Sequence, residues 1–462
     1  MKSRLLRAVL FASFTLTFGF LTSRTSAQSY VLSNLWNAAV GDANYPFLAS
    51  DSLHRGLAYN PVTDHLLVVS RTGGPNVYVL DANTGASVGT LNYDTSVIGG
   101  GTFPVNMVGV ADDGAIYVGN LSTSTAAPDF KLYRWANEDP ATVPLLVYDG
   151  DPSGGTNAQR WGDTMDVYGS GTNTQVILGS RNGSVVAVLT TSDGTNFVAH
   201  LVATDAAGGD FFPGMALGPA NTFWSKKAGG NLKQCNSDLT ANSASTVTSI
   251  SAVAGAGGPI AIDSTRKLAA IVNTTSHQLS FYDISDPATP EQQGAGQSFP
   301  TAPPNANSNG TGSVDFGGDK LFALDSNNGI PNHLLAGISL ETPDNLRLYD
   351  ISKLTNPPAN VDTDFFPTDN VNGNGIGSVD FGNEMVFGLD TNNGLLALSI
   401  QRTPGPISVS LRDNDAVLTW PGQGVLQSST NVTGGYADLN GAISPYTNSI
   451  RSVSQVFFRL RN

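Results

Sequence analysis

Short apolar runs cut by clusters of Gly, Pro, Asn and Asp recur along this chain. The recurring form is a strand reading apolar–small–apolar, a polar turn, and a second apolar strand. Seven segments have it: Leu57-Ala58-Tyr59 before HLLVVS, Val108-Gly109-Val110 before AIYVGN, Met165-Asp166-Val167 before QVILGS, Met215-Ala216-Leu217 before NTFWSK, Ile260-Ala261-Ile262 before KLAAIV, Val314-Asp315-Phe316 before KLFALD, and Val379-Asp380-Phe381 before EMVFGL. Their starts are 51, 57, 50, 45, 54 and 65 residues apart, room enough for four short strands each. Third strands are legible as NVYVLD, FKLYRWA, SVVAVL, LSFYDIS, LRLYDIS and LLALSI.

Seven four-stranded repeats predict an all-β fold, a seven-bladed β-propeller. A single blade cannot cover both of its faces, so each repeat must present apolar faces to its neighbours. That need explains why GSVDFGGDKLFALDSNNG (312–329) returns as GSVDFGNEMVFGLDTNNG (377–394) with 12 of 18 positions identical. The seventh repeat lacks a fourth strand, and the N-terminal run YVLSNLW (Tyr30–Trp36) is expected to supply it and close the ring. After Gln401 the texture changes. Residues 403–406 read as a linker, and 407–462 as a small β-sandwich-like module built from ISVSLRD, AVLTW, VLQSST and VFFRLR.

The first 27 residues belong outside the fold. Lys2, Arg4 and Arg7 precede an uncharged apolar run, Ala8–Leu21, that is too short to span a bilayer. With Thr25-Ser26-Ala27 behind it, this reads as a secretory signal cleaved before Gln28. The propeller then covers 28–402, and no later stretch predicts a transmembrane segment. The expected location is secreted or at the cell surface, extracellular or periplasmic.

Charge narrows the partners. The formal net charge is −14, and losing the four basic residues of the leader (Lys2, Arg4, Arg7, Arg24) takes it to −18. Such a chain repels phosphate backbones, so no nucleic acid is expected. Fifty-one glycines against 13% charged residues favour short strands and tight turns over long surface helices. The one cysteine, Cys235, forms no internal disulfide and reads as a buried small apolar residue. A monomer held by core packing and ring closure is expected.

Two stretches resemble known repeat families. Tyr282-Asp283-Ile284-Ser285 with Pro287 and Pro290, and Tyr349-Asp350-Ile351-Ser352 with Pro357, are similar to a repeat of secreted and surface-attached bacterial and archaeal propellers. Val77–Asp81 through Thr84-Gly85 looks like the strand–turn signature of quinoprotein-type propellers, though the tryptophans that recur at blade ends in that group are absent. The tail, with VLTWP, VLQSSTN and FFRLR, resembles a short C-terminal module on many secreted bacterial proteins, which implies an attachment or sorting role. As a whole the chain resembles an uncharacterised family of secreted bacterial propellers.

No HExxH, GxSxG, Walker A or paired CxxC motif occurs, and the five histidines (His54, His65, His200, His277, His333) lack metal-ligand spacing. Three candidate sites remain. Asp166, Asp315 and Asp380 hold the small-residue position of three inner strands, where carboxylates share a proton, bind a cation, or accept backbone amides. D-x-N-x-G at Asp81, Asp325 and Asp390 echoes the start of a calcium loop but lacks its distal Glu, and turn chemistry accounts for it better. Calcium is therefore the one cofactor left open; no metal ligands are assigned. The third candidate is the face of loops leading into the inner strands: 92–104, 149–160, 206–212, 291–309 and 359–374. It carries His54, Arg55, Arg160, Trp161, Asp163 and the aromatics Phe211, Phe212, Phe365 and Phe366, which either meet a ligand or pack between blades. The favoured reading is a binding module for a glycan, peptide or cell-envelope component. An extracellular polysaccharide hydrolase or lyase and a structural surface protein are the alternatives.

Overall fold

The structure is a computed structural model. It describes residues 29–123, 129–154, 160–180, 185–203, 214–217, 222–226, 231–241, 243–250, 260–263, 268–273, 278–283, 285, 291–298, 320–324, 334–339, 342–350, 359–371, 377–403, 406–420, 424–449 and 455–461. The signal-like leader, Phe211, Phe212, Asp315 and the middle D-x-N-x-G copy lie outside the described residues.

Among the described residues, regular structure is all strand apart from one turn of 3-10 helix at Gly171–Asn173. No helix there is long and apolar enough to cross a membrane. Tyr30–Arg402 and Thr403–Asn462 fall into separate compact units.

Among the described residues the larger unit shows seven four-stranded sheets. Sheet I is His54–Asn60, His65–Ser70, Asn76–Asp81 and Ser87–Thr90. Sheet II is Phe103–Val110, Ile116–Leu121, Phe130–Trp135 and Leu145–Gly150. Sheet III is Met165–Tyr168, Gln175–Gly179, Val185–Thr191 and Phe197–Ala203. Sheet IV is Gly214–Leu217, Thr222–Lys226, Leu232–Asp238 and Ser243–Ile250. Sheet V is Ile260–Asp263, Leu268–Asn273, Gln278–Asp283 and Glu291–Ser298. Sheet VI is Lys320–Leu324, Leu334–Ser339, Asn345–Asp350 and Ala359–Phe365. Sheet VII joins Gly377–Gly382, Met385–Asp390 and Gly394–Thr403 to the N-terminal strand Ser29–Ala38. The first strand of each sheet lies beside the first strand of the next, and that of sheet VII lies beside that of sheet I. The arrangement is propeller-like.

Strand periodicity explains why the apolar runs are continuous. Side chains alternate between faces, and here both faces are covered. Leu66 and Val68 pack with Phe387 and Leu389 of sheet VII, while Leu67 and Val69 pack with Val108 and Ile116 of sheet II. Cys235 is buried with Ile177, Val186 and Phe223, as a small apolar residue.

The N-terminal strand touches both neighbours of its sheet. Leu32 N–H donates to Asp362 of sheet VI at 2.7 Å, and Trp36 Nε1 donates to the Ala82 carbonyl beside sheet I at 2.8 Å. Tyr30 and Leu32 fill one side of sheet VII, and Trp36 and Ala38 the other. Gly394 has φ +105°, and a Cβ there would stand 2.0 Å from the Ala38 carbonyl oxygen, so this close approach of two chain segments requires glycine.

Two sequence expectations are corrected. KLFAL, expected as a second strand, is the first strand of sheet VI, paired with Leu334–Ser339. With LLAGIS, NLRLYD and ANVDTDF behind it, KLFAL takes the first of the four places, whereas its counterpart MVFGLD is a second strand. The near-identical 18-residue stretches thus supply different strand positions. Secondly, 291–298 and 359–365, expected as loop, are the fourth strands of sheets V and VI. Their polar composition suits an outer strand.

The smaller unit has two three-stranded sheets, Ser408–Arg412/Asp415–Thr419/Tyr446–Ser449 and Ala437–Asp438/Val425–Ser429/Phe457–Arg461. Ala416, Leu418, Trp420 and Leu426 form its core. The preceding strand runs through Thr403, into the expected linker.

Candidate functional site

Polar groups gather at the leading ends of the first strands of sheets I to III. Two bulges put them there. In sheet I, His54 faces Ser70 but Leu57 faces Val68, so one extra residue sits in the first strand at Arg55-Gly56. In sheet II, Phe103 faces Leu121 and Met107 faces Gly119, which leaves two extra residues before Met107. A bulge breaks the alternation and re-aims side chains. Arg55 and Asn106 both lie in these irregular segments.

His54 is fully buried. Its Nδ1 lies 2.7 Å from the Thr391 carbonyl, and Ala49 N–H donates to its Nε2 at 3.1 Å. Nε2 also lies 2.8 Å from the Phe47 carbonyl, so both ring nitrogens face a carbonyl oxygen; burial pushes the pKa down, against the smaller upward pull of these two carbonyls. Thr391 Oγ1 returns a bond to the His54 carbonyl at 2.6 Å, tying the turn of sheet VII to sheet I. His54 is a clasp between neighbouring sheets.

Arg55 and Arg71 are both buried, and each guanidinium feels the other's charge. Arg71 follows the second strand of sheet I. Its Nη1 donates to Asn106 Oδ1 at 2.7 Å, and its plane lies 3.7 Å over the Phe103 ring. Burial, and secondarily Arg55, lowers the Arg71 pKa to about 9, so it is still a cation at neutral pH. Asn106, fully buried, passes the link on: its Nδ2 donates to the Gly162 carbonyl at 2.7 Å. Gly162 has φ +91°, and a Cβ there would fall 1.8 Å from the Asn120 carbonyl oxygen. Only glycine lets the 160–163 loop lie against sheet II.

Within that loop Arg160 and Asp163 pair with each other, Nε to Oδ2 at 2.6 Å and Nη2 to Oδ1 at 2.7 Å. Trp161 is fully enclosed in the core between sheets II and III, and its backbone exchanges two hydrogen bonds with Ser122. Its ring offers no stacking surface. Phe366 is likewise in the core, whereas Phe365 is half exposed.

Of the three inner-strand acids, Asp315 lies outside the described residues, and Asp166 and Asp380 are the two that can be placed. Asp380 Oδ2 accepts from Tyr59 N–H of sheet I at 2.8 Å, and Oδ1 accepts from Phe381 N–H at 2.9 Å. This carboxylate therefore stitches sheet VII to sheet I. Its surroundings are dense, although it keeps partial contact with solvent. Desolvation pushes its pKa up to about 6, and the charge of Asp166 adds to the rise. Asp166 is thus the acid that senses Asp380 across the first strands.

The two described D-x-N-x-G segments act as turns. Asp81 Oδ1 accepts from Asn83 N–H and Thr84 N–H at 3.0 and 2.8 Å, and Asp390 Oδ1 accepts from Asn392 N–H at 3.1 Å. Among the described residues no three His, Cys, Asp or Glu side chains gather as a metal site.

Arg71 and Asn106 escaped sequence reading. Arg71 stands between the apolar run HLLVVS and the turn Thr72-Gly73-Gly74-Pro75, an ordinary place for an exposed cation. The one local hint is its position just after the buried apolar run Leu66–Val69.

No family model matches this chain, and no curated protein matches it. Among solved structures it is similar to a DUF4623 family protein from Bacteroides eggerthii DSM 20697, with TM-score 0.45 and 13% identity over 82% of this chain and 78% of that one. It is also similar to Chaetomium thermophilum Raptor, with TM-score 0.49 and 9% identity over 82% of this chain and 29% of that one.

Proposed function

We propose that the protein is a secreted, seven-bladed β-propeller, closed by its N-terminal strand and carrying a β-sandwich-like tail, that binds a glycan, peptide or cell-envelope partner at the mouth of the ring. The observation that carries this reading is the buried polar cluster of His54, Arg55, Arg71, Asn106 and Asp163, drawn from three consecutive sheets. A fold under no demand but stability fills such a place with apolar side chains, because buried charge costs more than it returns. Scaffold-held groups at one end of a sheet array are the usual form of a binding site.

A second reading is an extracellular polysaccharide hydrolase or lyase. It draws on Asp380, whose pKa of about 6 stands beside a second acid, Asp166. Incubating residues 28–462 with a polysaccharide and peptide panel, with and without calcium, separates the two. Retention without new chain ends is the expected result. New chain ends lost in Asp380→Asn replace binding with catalysis, and neither signal leaves a structural surface protein.

A further inference from the structure

We infer that the tail's first strand, Ser408–Arg412, is a dimerisation edge, which pairs antiparallel with the same strand of a second copy about a two-fold axis at Ser410. The inference is independent of the ring-mouth reading and shares no residue with it.

The strand lies at the end of its three-stranded sheet and is exposed at every position. Its apolar side chains nevertheless belong to the core face. Val409 stands opposite Leu418 and Leu411 opposite Ala416, and opposed residues of neighbouring strands share a face. Leu418 and Ala416 are core residues, and Ile407, two places before Val409, packs against that core. The apolar row Ile407, Val409, Leu411 thus runs on past the covered interior, leaving Val409 61% and Leu411 73% exposed. A strand added at this edge would extend the sheet and cover them.

The edge is also unguarded. In sheets I, II, IV, V and VI the outer strand is paired through a bulge or a shift of register, which discourages a further strand from joining. Ser408–Arg412 keeps an unbroken register with its neighbour and contains no proline.

The strand's own pattern selects a second copy as the occupant. Arg412 and Asp415 close the hairpin around the turn Asp413-Asn414, which makes them a hydrogen-bonded pair. Such pairs alternate with open ones, so Val409 and Leu411 turn their N–H and C=O groups away from the hairpin. In an antiparallel pair centred on Ser410, Val409 faces the second copy's Leu411, and the reverse. The residues with outward backbone groups therefore bond each other, and apolar side chains meet apolar ones. Arg412 faces the second copy's Ser408, so no like charges are opposed. Charge directs the meeting to this unit as well. Residues 403–462 carry four Arg against three Asp, whereas 28–402 carry 15 basic residues against 34 acidic ones and repel their counterparts. Two such short strands bury less than the roughly 1,200 Å² of a standard interface, so the dimer is a weak one.

The test uses residues 28–462. Sedimentation equilibrium over a wide concentration range should show the mass climbing from one chain toward two. Leu411→Lys should weaken association by at least about 10-fold and leave the melting temperature of the dilute protein in place. Val409→Glu combined with Leu411→Lys sets opposite charges across the two-fold axis and should restore association. Ser410→Cys should cross-link into a covalent dimer under diamide, because the Cα atoms of an open pair lie about 4.5 Å apart, within disulfide reach. Ser408→Cys should not, because Ser408 faces the second copy's Arg412. Cys235 is buried and stays out of the reaction. A single-chain mass at every concentration overturns the inference. If Leu411→Lys then lowers the melting temperature, the strand is covered by its own chain; if not, its partner is a different protein. Equal cross-linking of the two cysteine variants, or a dimer indifferent to Leu411→Lys, overturns it too.

Discussion

The two compact units solve the problem of strand edges differently. In Tyr30–Arg402 the outer place of sheet VII is taken by the N-terminal strand, and Tyr30, Leu32, Trp36 and Ala38 are buried by it. In the tail, Ser408–Arg412 is an edge strand exposed at every position, with Val409 61% and Leu411 73% exposed. Sheets stacked on sheets bury both faces of central strands such as His65–Ser70 and Met385–Asp390, while a unit of about 60 residues has too little interior to do so. Cooperative stability should therefore concentrate in the larger unit and hinge on its N-terminal strand.

The strongest way to break this contrast is to delete 29–38. Three large side chains lose burial worth about 1.5–3 kcal/mol each, so the loss is on the order of 5 kcal/mol or more. Calorimetry should show the main transition collapse; an unchanged melting temperature would disprove closure by this strand. Next is Trp420→Ala, in the small core of the tail, expected to cost about 3–5 kcal/mol and to remove a tail transition while the main one stays. A single transition that shifts as a whole would mean that the units melt as one.

Asp380 sharpens the comparison at the seam. Its folded pKa, about 6, lies above the ordinary 3.8, so the folded state holds its proton more tightly. The stability this contributes is fully present below about pH 3.8 and is lost as pH rises through about 6, at most about 3 kcal/mol. Asp380→Asn cannot titrate. Its melting temperature relative to the wild type should climb between pH 4 and 7, whereas parallel curves would place the proton elsewhere. Trp36→Phe removes the bond to the Ala82 carbonyl together with part of a buried indole, and should lower stability by about 1–3 kcal/mol in urea titration. Leu411→Lys, on the exposed tail strand, should stay within about 0.5 kcal/mol.

Much of the fold was written in local pattern. Runs such as HLLVVS and QVILG must be strands covered on both faces, and six of the seven expected first strands are where the apolar–small–apolar triplets stand. Even the N-terminal strand of sheet VII could be inferred, because a repeat that stops one strand short leaves an edge to fill. Pattern failed where identity misled. KLFAL and MVFGLD are near-copies, yet they take the first and second places of their sheets, since strand position depends on how many partners follow and not on the segment itself.

The site was legible only in part. His54, Arg55, Arg160 and Asp163 were found because they crowd the leading ends of first strands, yet their separate roles as clasp, buried cation and closed ion pair depend on contacts between sheets. The link from Arg71 through Asn106 to Gly162 spans 35 and 56 residues in sequence, and two bulges are needed to aim it. Strand identity rests on the chemistry of five or six consecutive residues, which is local and readable. Which polar group is left buried without a partner depends on what surrounds it from three sheets at once, and packing alone settles that.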